Sequence, residues 1–448
     1  MKAIKRIIAE HGTLVFSMTK WFIYASLVGV TIGLSTTVFL KILGWSTLQM
    51  QTIPQHLLLL PVMFVLTQWI VSRFAPQAKG HGTEKVIEAV HINQGKIALA
   101  VVPVKLLATV ITIAGGGSAG KEGPCAQIGA GLASAWADWL NINDRDRPKL
   151  VICGISAGFA SVFGTPIAGA LFGIEVLFLG QMLYEVLFPA FVSGMVSYQA
   201  SLWLGNTYFY HQLAIEPYSN NAMLIHAFIL GIVCGVAALM FIKLFDVVAL
   251  IMRKLEQRPY LKSFTGGLIV MLIGLLVSEG YLGLGIETME AGLQGEVLPW
   301  SASLWKMLAT AVTLESGGSG GVLTPLFVVG TAVGNLFGIL VSASNLAVYS
   351  AIGLVATLSA AANTPISATV MAIELFGANI APYAAISCVV AYVFVGHNSI
   401  YPSQVLSAKK SASIAVDTGK MLSETDHARI YPRKDTAFRR LLLWMRKH

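Results

Sequence analysis

Apolar runs recur along the whole chain, separated by short polar stretches. The clearest are Trp21–Leu43, Leu57–Val71, Leu224–Ile251, Phe264–Val277 and Ala381–Val395. A helix needs roughly 20 apolar residues to cross a bilayer. The runs therefore predict an all-α polytopic membrane protein. Many other apolar segments are short and broken by glycine, so the crossings are not countable from the pattern alone.

Composition agrees. Of 448 residues, 55% are hydrophobic and 12% are charged, against about 25% charged in an ordinary soluble domain. This argues against a soluble protein with a very large core. The opening MKAIKRIIAEHG resembles the start of a signal peptide. The apolar stretch after it is too long and has no small-residue cleavage site, so a retained helix is expected.

The formal net charge of +8 does not point to nucleic acid, because the basic residues gather at the two ends. Lys2, Lys5 and Arg6 precede the first run, and Lys409 to Lys447 follow the last. The positive-inside rule then puts both termini in the cytoplasm and makes the number of full crossings even. Cys125, Cys153, Cys234 and Cys388 lie in apolar surroundings without metal-ligand spacing. They read as small buried hydrophobes. No metal or cofactor is expected.

The chain repeats itself. KLLATVITIAGGGSAGKEGPCAQIG from Lys105 aligns without a gap to KMLATAVTLESGGSGGVLTPLFVVG from Lys306. Lys, Leu, Ala, two Thr, Gly-Gly-Ser, Gly, Pro and a final Gly coincide. GTPIAGALFGIEV from Gly164 matches NTPISATVMAIEL from Asn363, pairing Glu175 with Glu374. GHGTEKVIEA from Gly80 loosely matches GLGIETMEA from Gly283. Repeats of this kind are sought first because missing them misreads the fold. The chain is expected to be two homologous halves, about 18–206 and 221–401, with a short basic tail at 407–448. Transporters built this way bind substrate near the midplane, between inverted or parallel repeats.

GGGSAGKEGP at 115–124 begins like a phosphate-binding loop, but Glu122 stands where Ser or Thr would hold magnesium. LLATVITIA before it belongs to a membrane run, and the second copy has Val322 where the lysine would be. No nucleotide is expected. Non-helical backbone at membrane depth is tolerated where it is buried or lines a cavity. Each glycine break instead predicts a helix that stops and restarts. A restarting helix offers free N–H groups and the positive end of its dipole, an anion site without a cationic side chain.

Glu122 stands beside those donors. An intramembrane carboxylate is costly and by default functional. Ionised, it can fill the anion site itself; protonated or displaced, it can leave. The plain alternative is a glutamate that caps its own helix.

GKEGP at 120–124, GVLTP at 321–325 and Tyr401 in NSIYPSQV together resemble the signature regions of the CLC family of chloride channels and chloride/proton antiporters. The resemblance spans nearly all of residues 20–406. It implies inverted repeats with re-entrant helices meeting at a midplane anion site, a homodimer in the lipid bilayer, and one anion path per subunit. It implies that Glu122 is the gating, proton-accepting glutamate. Gly123 lies beside it in the same signature. The backbone at Val322 and Leu323 and the phenol of Tyr401 would line the central anion site.

Three departures stand out. The first signature, usually G-S-G-I-P, is GHGTE here, with His81 and Gly82 at the anion site and Glu84 in the proline position. His81 can bond the anion, titrate, or point aside. Leu323 replaces a common Phe, which a backbone contact survives. Family antiporters carry an inner proton glutamate where this chain has Val176. Glu175 precedes it, but its match to Glu374 suggests a structural role. Glu185 is a further candidate for an inner relay.

The tail is too short for the paired nucleotide-binding modules of some relatives, which points to a bacterial inner (plasma) membrane. FRRLLLWMRKH at its end is basic and amphipathic, suited to the anionic leaflet or to a disordered terminus. The expected function is chloride transport, as a voltage- or pH-gated channel or weakly coupled carrier. A chloride/proton antiporter is the first alternative and a fluoride or other anion carrier the second. An intramembrane enzyme is not expected, since His91 and His397 have no partner at ligand spacing.

Overall fold

The computed structural model describes residues 2–208, 210–213, 221–425 and 431–432. The amphipathic segment at 438–448 lies outside the described residues. Within them the chain is helical, and each half contributes eight helices in the same order. The first half holds α1 (Lys2–Gln51), α2 (Leu60–Phe74), α3 (Gly82–Ile92), α4 (Val101–Ala114), α5 (Glu122–Trp139), α6 (Arg147–Phe163), α7 (Pro166–Glu175) and α8 (Leu187–Trp203). The second holds α9 (Asn221–Met252), α10 (Pro259–Leu276), α11 (Ile286–Leu293), α12 (Ala302–Glu315), α13 (Leu323–Leu340), α14 (Leu346–Ala362), α15 (Pro365–Phe376) and α16 (Ala381–Phe394). The expected two-repeat membrane architecture is the one observed.

Among the described residues, five helical segments are long and apolar enough to cross a membrane. Those in α1, α2, α9 and α10 turn large apolar side chains outward, among them Val38, Leu66, Leu250 and Leu275. The fifth, α13, is instead packed inside with α5, α6 and α14, which are almost wholly buried. Small residues allow that closeness. Gly129 backs onto Gly154, and their counterparts Gly330 and Gly353 do the same.

The helix breaks recur at matched positions. α6 stops at Gly164 and α14 at Asn363, both left-handed (φ 73° and 58°), a common helix ending for these two residues. α7 and α15 then start on proline, whose missing N–H would be unpaired there anyway. The matched glutamates join the two ends reciprocally. Glu175, closing α7, accepts the Ile366 and Ser367 N–H groups of α15 at 3.1 and 2.8 Å. Glu374 accepts those of Ile167 and Ala168 on α7 at 3.0 and 2.7 Å. Each carboxylate thus caps the other half's helix.

After α16 the chain passes Tyr401 and forms β2 (Val405–Leu406), which pairs in parallel with β1 (Phe178–Leu179). Leu179, Leu406, Val416 and Leu422 close a small core under it. The start of the tail is therefore packed onto the membrane domain.

Loss of both oxygens at Glu175 leaves one buried donor, Ser367 N–H, and one half-buried donor, Ile366 N–H, unpaired. Glu175→Ala is expected to cost about 2 kcal/mol and to lower the thermal midpoint in detergent by several degrees. Glu185 sits in an exposed ion pair with Lys149, at 3.1 Å and 66% side-chain exposure. Glu185→Ala should change stability by less than about 1 kcal/mol. Equal midpoints for the two variants would contradict the capping role.

Candidate anion site

The two glycine breaks lie side by side. Gly120 and Gly321 exchange backbone bonds, N–H to C=O at 2.7 Å one way and 2.6 Å the other. Hydroxyls extend the same reciprocity outward. Ser118 N–H donates to Thr313 Oγ1 at 3.1 Å, and Ser319 N–H to Thr112 Oγ1 at 3.0 Å. Ser118 Oγ meets Thr310 at 2.9 Å, and Ser319 Oγ meets Thr109 at 3.1 Å. These are the Thr, Thr and Ser identities of the aligned repeats. They coincide in sequence because each bonds its opposite number across a pseudo-twofold axis.

Two buried lysines brace the segments behind the breaks. Lys105 donates to the carbonyls of Ala78, at 3.1 Å, and Gly80. Its counterpart Lys306 donates to those of Tyr281, Leu282 and Gly283. The 79–81 and 281–285 turns are thereby held against the start of α3 and α11.

On this frame Glu122 opens α5, wholly buried. Its carboxylate does not cap its own helix. It crosses to α13, where Oε1 accepts the Leu323 N–H at 2.6 Å and Oε2 accepts the Thr324 hydroxyl at 2.6 Å. The donors are a helix-start amide and a hydroxyl at the positive end of the α13 dipole. Charge-assisted bonds of this sort contribute about 1.5–3 kcal/mol each, which offsets part of the burial of charge. The crossing is possible because Gly321 lies between: a Cβ there would overlap Glu122 Oε1 and stand 2.7 Å from Gly123 N. Gly82 is equally constrained, since a Cβ would run into the Gly123 carbonyl.

Tyr401 is fully buried next to this point, with its ring centroid 6.1 Å from that of His81. Its phenol carries no hydrogen bond among the described residues, and neither does His81 Nδ1 or Thr83 Oγ1. Thr83 adjoins the phenol without reaching hydrogen-bond geometry. Buried polar atoms are ordinarily paired. The three lie together beside the seat of Glu122 and mark a candidate anion site.

The site therefore unites His81, Gly82, Glu122, Gly123, Val322, Leu323 and Tyr401. Val322 and Leu323 bury their side chains in the core and present backbone. Glu175, Val176 and Glu185 are not part of it. Both Glu175 oxygens cap α15. Val176 is fully buried and its carbonyl accepts from Gln404 Nε2 at 2.7 Å. Glu185 is at the surface. Thr324 is the side chain at this candidate site that motif reading passed over. Its signal lies in the repeat, where it aligns with Gly123, so only the second half supplies the hydroxyl.

A cleft of about 600 Å³ leads toward the site, lined by Lys121, Thr324, Phe327 and Tyr208, with Thr47 and Leu48 of α1 at its side. It opens on the face opposite the tail. Lys20 of α1 pairs with Asp146 at 3.2 Å, and Lys149 links Asp146 to Glu185 near β1. Thr47 is 27 residues further along α1, about 40 Å at helical rise.

A buried carboxylate thus leaves the helix start of one membrane-embedded repeat and is seated on the helix start of the other, the arrangement expected of a transmembrane anion-transport protein. The profile of the voltage-gated chloride channel family matches residues 63–396. The chain belongs to that family, the CLC proteins. A "Chloride/fluoride channel protein" of Pseudomonas syringae pv. tomato is 34% identical over 404 residues, covering 88% of each chain. A solved CLC-type fluoride/proton antiporter superposes with a TM-score of 0.83 at 27% identity, over 88% of this chain and 99% of that one. A slow cyanobacterial Cl⁻/H⁺ antiporter has the same fold, with a TM-score of 0.73 at 21% identity over 84% and 94%.

Because the Tyr401 hydroxyl bonds nothing among the described residues, its removal separates binding from folding. Tyr401→Phe should weaken halide binding about 5- to 30-fold, the loss of one hydrogen bond to a charged ligand. Its thermal midpoint should stay within a degree or two. Calorimetric titration beside a melting curve checks this; unaltered affinity would remove the phenol from the site.

Proposed function

We propose that this protein exchanges a halide for protons across the membrane, and that it carries fluoride as well as chloride. The observation that carries the reading is the seat of Glu122. Its carboxylate occupies the amide and hydroxyl donors that an anion needs. Anion and carboxylate compete for one place. A protonated Glu122 gives up its charge-assisted bonds, so each anion that enters favours a proton on the glutamate. Alternate occupancy of one seat by halide and carboxylate is a coupling device.

Fluoride is favoured by the kind of donors present. A backbone N–H and the hydroxyls of Thr324 and Tyr401 form short bonds to a small, hard anion. The Pseudomonas relative's name and the fluoride/proton antiporter at 27% identity support the same choice. We place both termini on the cytoplasmic side, from the basic ends of the chain.

One observation favours a second reading, an uncoupled channel. Val176 brings no carboxylate to the position where the family's antiporters hold their inner glutamate, and neither Glu175 nor Glu185 replaces it.

Purified protein in liposomes separates the two. Under a fluoride or chloride gradient, with voltage set by a potassium ionophore, the exchanger moves protons uphill. Glu122→Gln, an uncharged side chain of the same shape, should reduce that proton movement at least tenfold and leave the remaining anion flux insensitive to pH. Wild-type anion flux without proton movement would establish the channel instead.

A further inference from the structure

We propose that Glu84 is the proton acceptor on the tail side of the anion site; this rests on the exchange reading above. A proton that reaches Glu122 must come from, or go to, water on the tail face. In a low-dielectric interior a titratable side chain between the two can carry that step. Glu175 is committed to a cap and Glu185 to the surface, which turns attention to another carboxylate with an unused oxygen.

Glu84 has one. It lies in the first turn of α3, three residues after His81. Its Oε1 accepts from Ser403 N–H at 3.0 Å and Ser403 Oγ at 2.6 Å. Its Oε2 is buried and has no hydrogen-bond partner among the described residues. A carboxylate kept only for structure would be expected to use both oxygens, as Glu175 and Glu374 do. Ser403 follows Tyr401 by two residues and precedes β2, so Glu84 lies on the tail side of the phenol. Tyr401 lies within electrostatic reach of both Glu84 and Glu122. Tyr401 is thus a neighbour of both carboxylates.

Water has a way in. One helical turn beyond Glu84, Glu88 lines a cleft of about 360 Å³ with Lys79, Lys85, Asn93 and Gln127. Lys85 and Glu88 form a half-exposed ion pair at 2.7 Å. The charged or titratable groups around Glu84 are Lys85 and Glu88 on its own helix and Tyr401 opposite, with His81 and the Lys105 ammonium at the preceding turn.

The step balances simply. A proton from water on the tail side binds Glu84 Oε2 and makes a neutral carboxyl. When the Glu122 carboxylate swings inward, the proton passes to it across the anion seat, and Glu84 returns to carboxylate. Outward release from Glu122 completes one proton moved; the opposite gradient reverses each step.

The test compares wild type, Glu84→Gln, Glu84→Asp and Glu122→Gln in liposomes, with anion release and external pH recorded together. Gln keeps the carbonyl that Ser403 bonds, so the fold is retained. Glu84→Gln should lower the protons moved per anion at least tenfold, and Glu84→Asp should retain most of the coupling. Wild-type coupling left unchanged by Glu84→Gln overturns the role of Glu84 alone. A wild type that moves no protons overturns the exchange reading and this role with it. Carbodiimide labelling of wild type tests the same role without a variant. A label on Glu84, found by mass spectrometry and accompanied by loss of proton movement, supports the relay; coupling lost with Glu84 unlabelled overturns it.

Discussion

Everything at the centre of this protein depends on two interrupted helices being laid antiparallel at Gly120 and Gly321. Backbone left open at membrane depth must find partners inside the protein. Here each break supplies the other's partners, through two backbone bonds and two sets of Ser–Thr bonds. The same pairing leaves the start of α5 beside that of α13, whose Leu323 amide points at the Glu122 carboxylate. The fold's solution to its own unsatisfied backbone is also what makes a place for an anion.

Function then comes from where the two halves stop being alike. The repeat aligns Glu122 with Leu323 and Gly123 with Thr324. One half contributes a carboxylate and the room for it to move; the other contributes an amide and a hydroxyl that receive it. In the proposed exchange, this asymmetric pair contains its own competitor, and protons decide which occupant stays.

Much of this is legible in the chain. The apolar runs and paired blocks specify two membrane-spanning halves, and GKEGP and GVLTP mark both helix restarts. The matched Glu175 and Glu374 read as structural, and the geometry gives them reciprocal capping bonds. What could not be read was direction. Nothing in a linear motif says that Glu122 reaches across to α13 rather than capping α5, because that depends on a Cβ-free approach at Gly321. Thr324 was hidden inside a motif valued for its backbone. Lys105 and Lys306 were visible as a matched pair, but their carbonyl partners come from turns about 25 residues upstream. Glu84 was visible only as a departure at a proline position. Its open oxygen and its bond to Ser403 belong to tertiary structure.

The most direct measurement is an experimental structure of Glu122→Ala with bromide, whose anomalous signal marks a halide unambiguously. Competition for one seat predicts a bromide peak in the vacated place, within hydrogen-bond reach of Leu323 N, the Thr324 hydroxyl and the Tyr401 phenol. A fully ordered site with no halide there, or a halide held elsewhere in the chain, would contradict the claim that carboxylate and anion compete for one place.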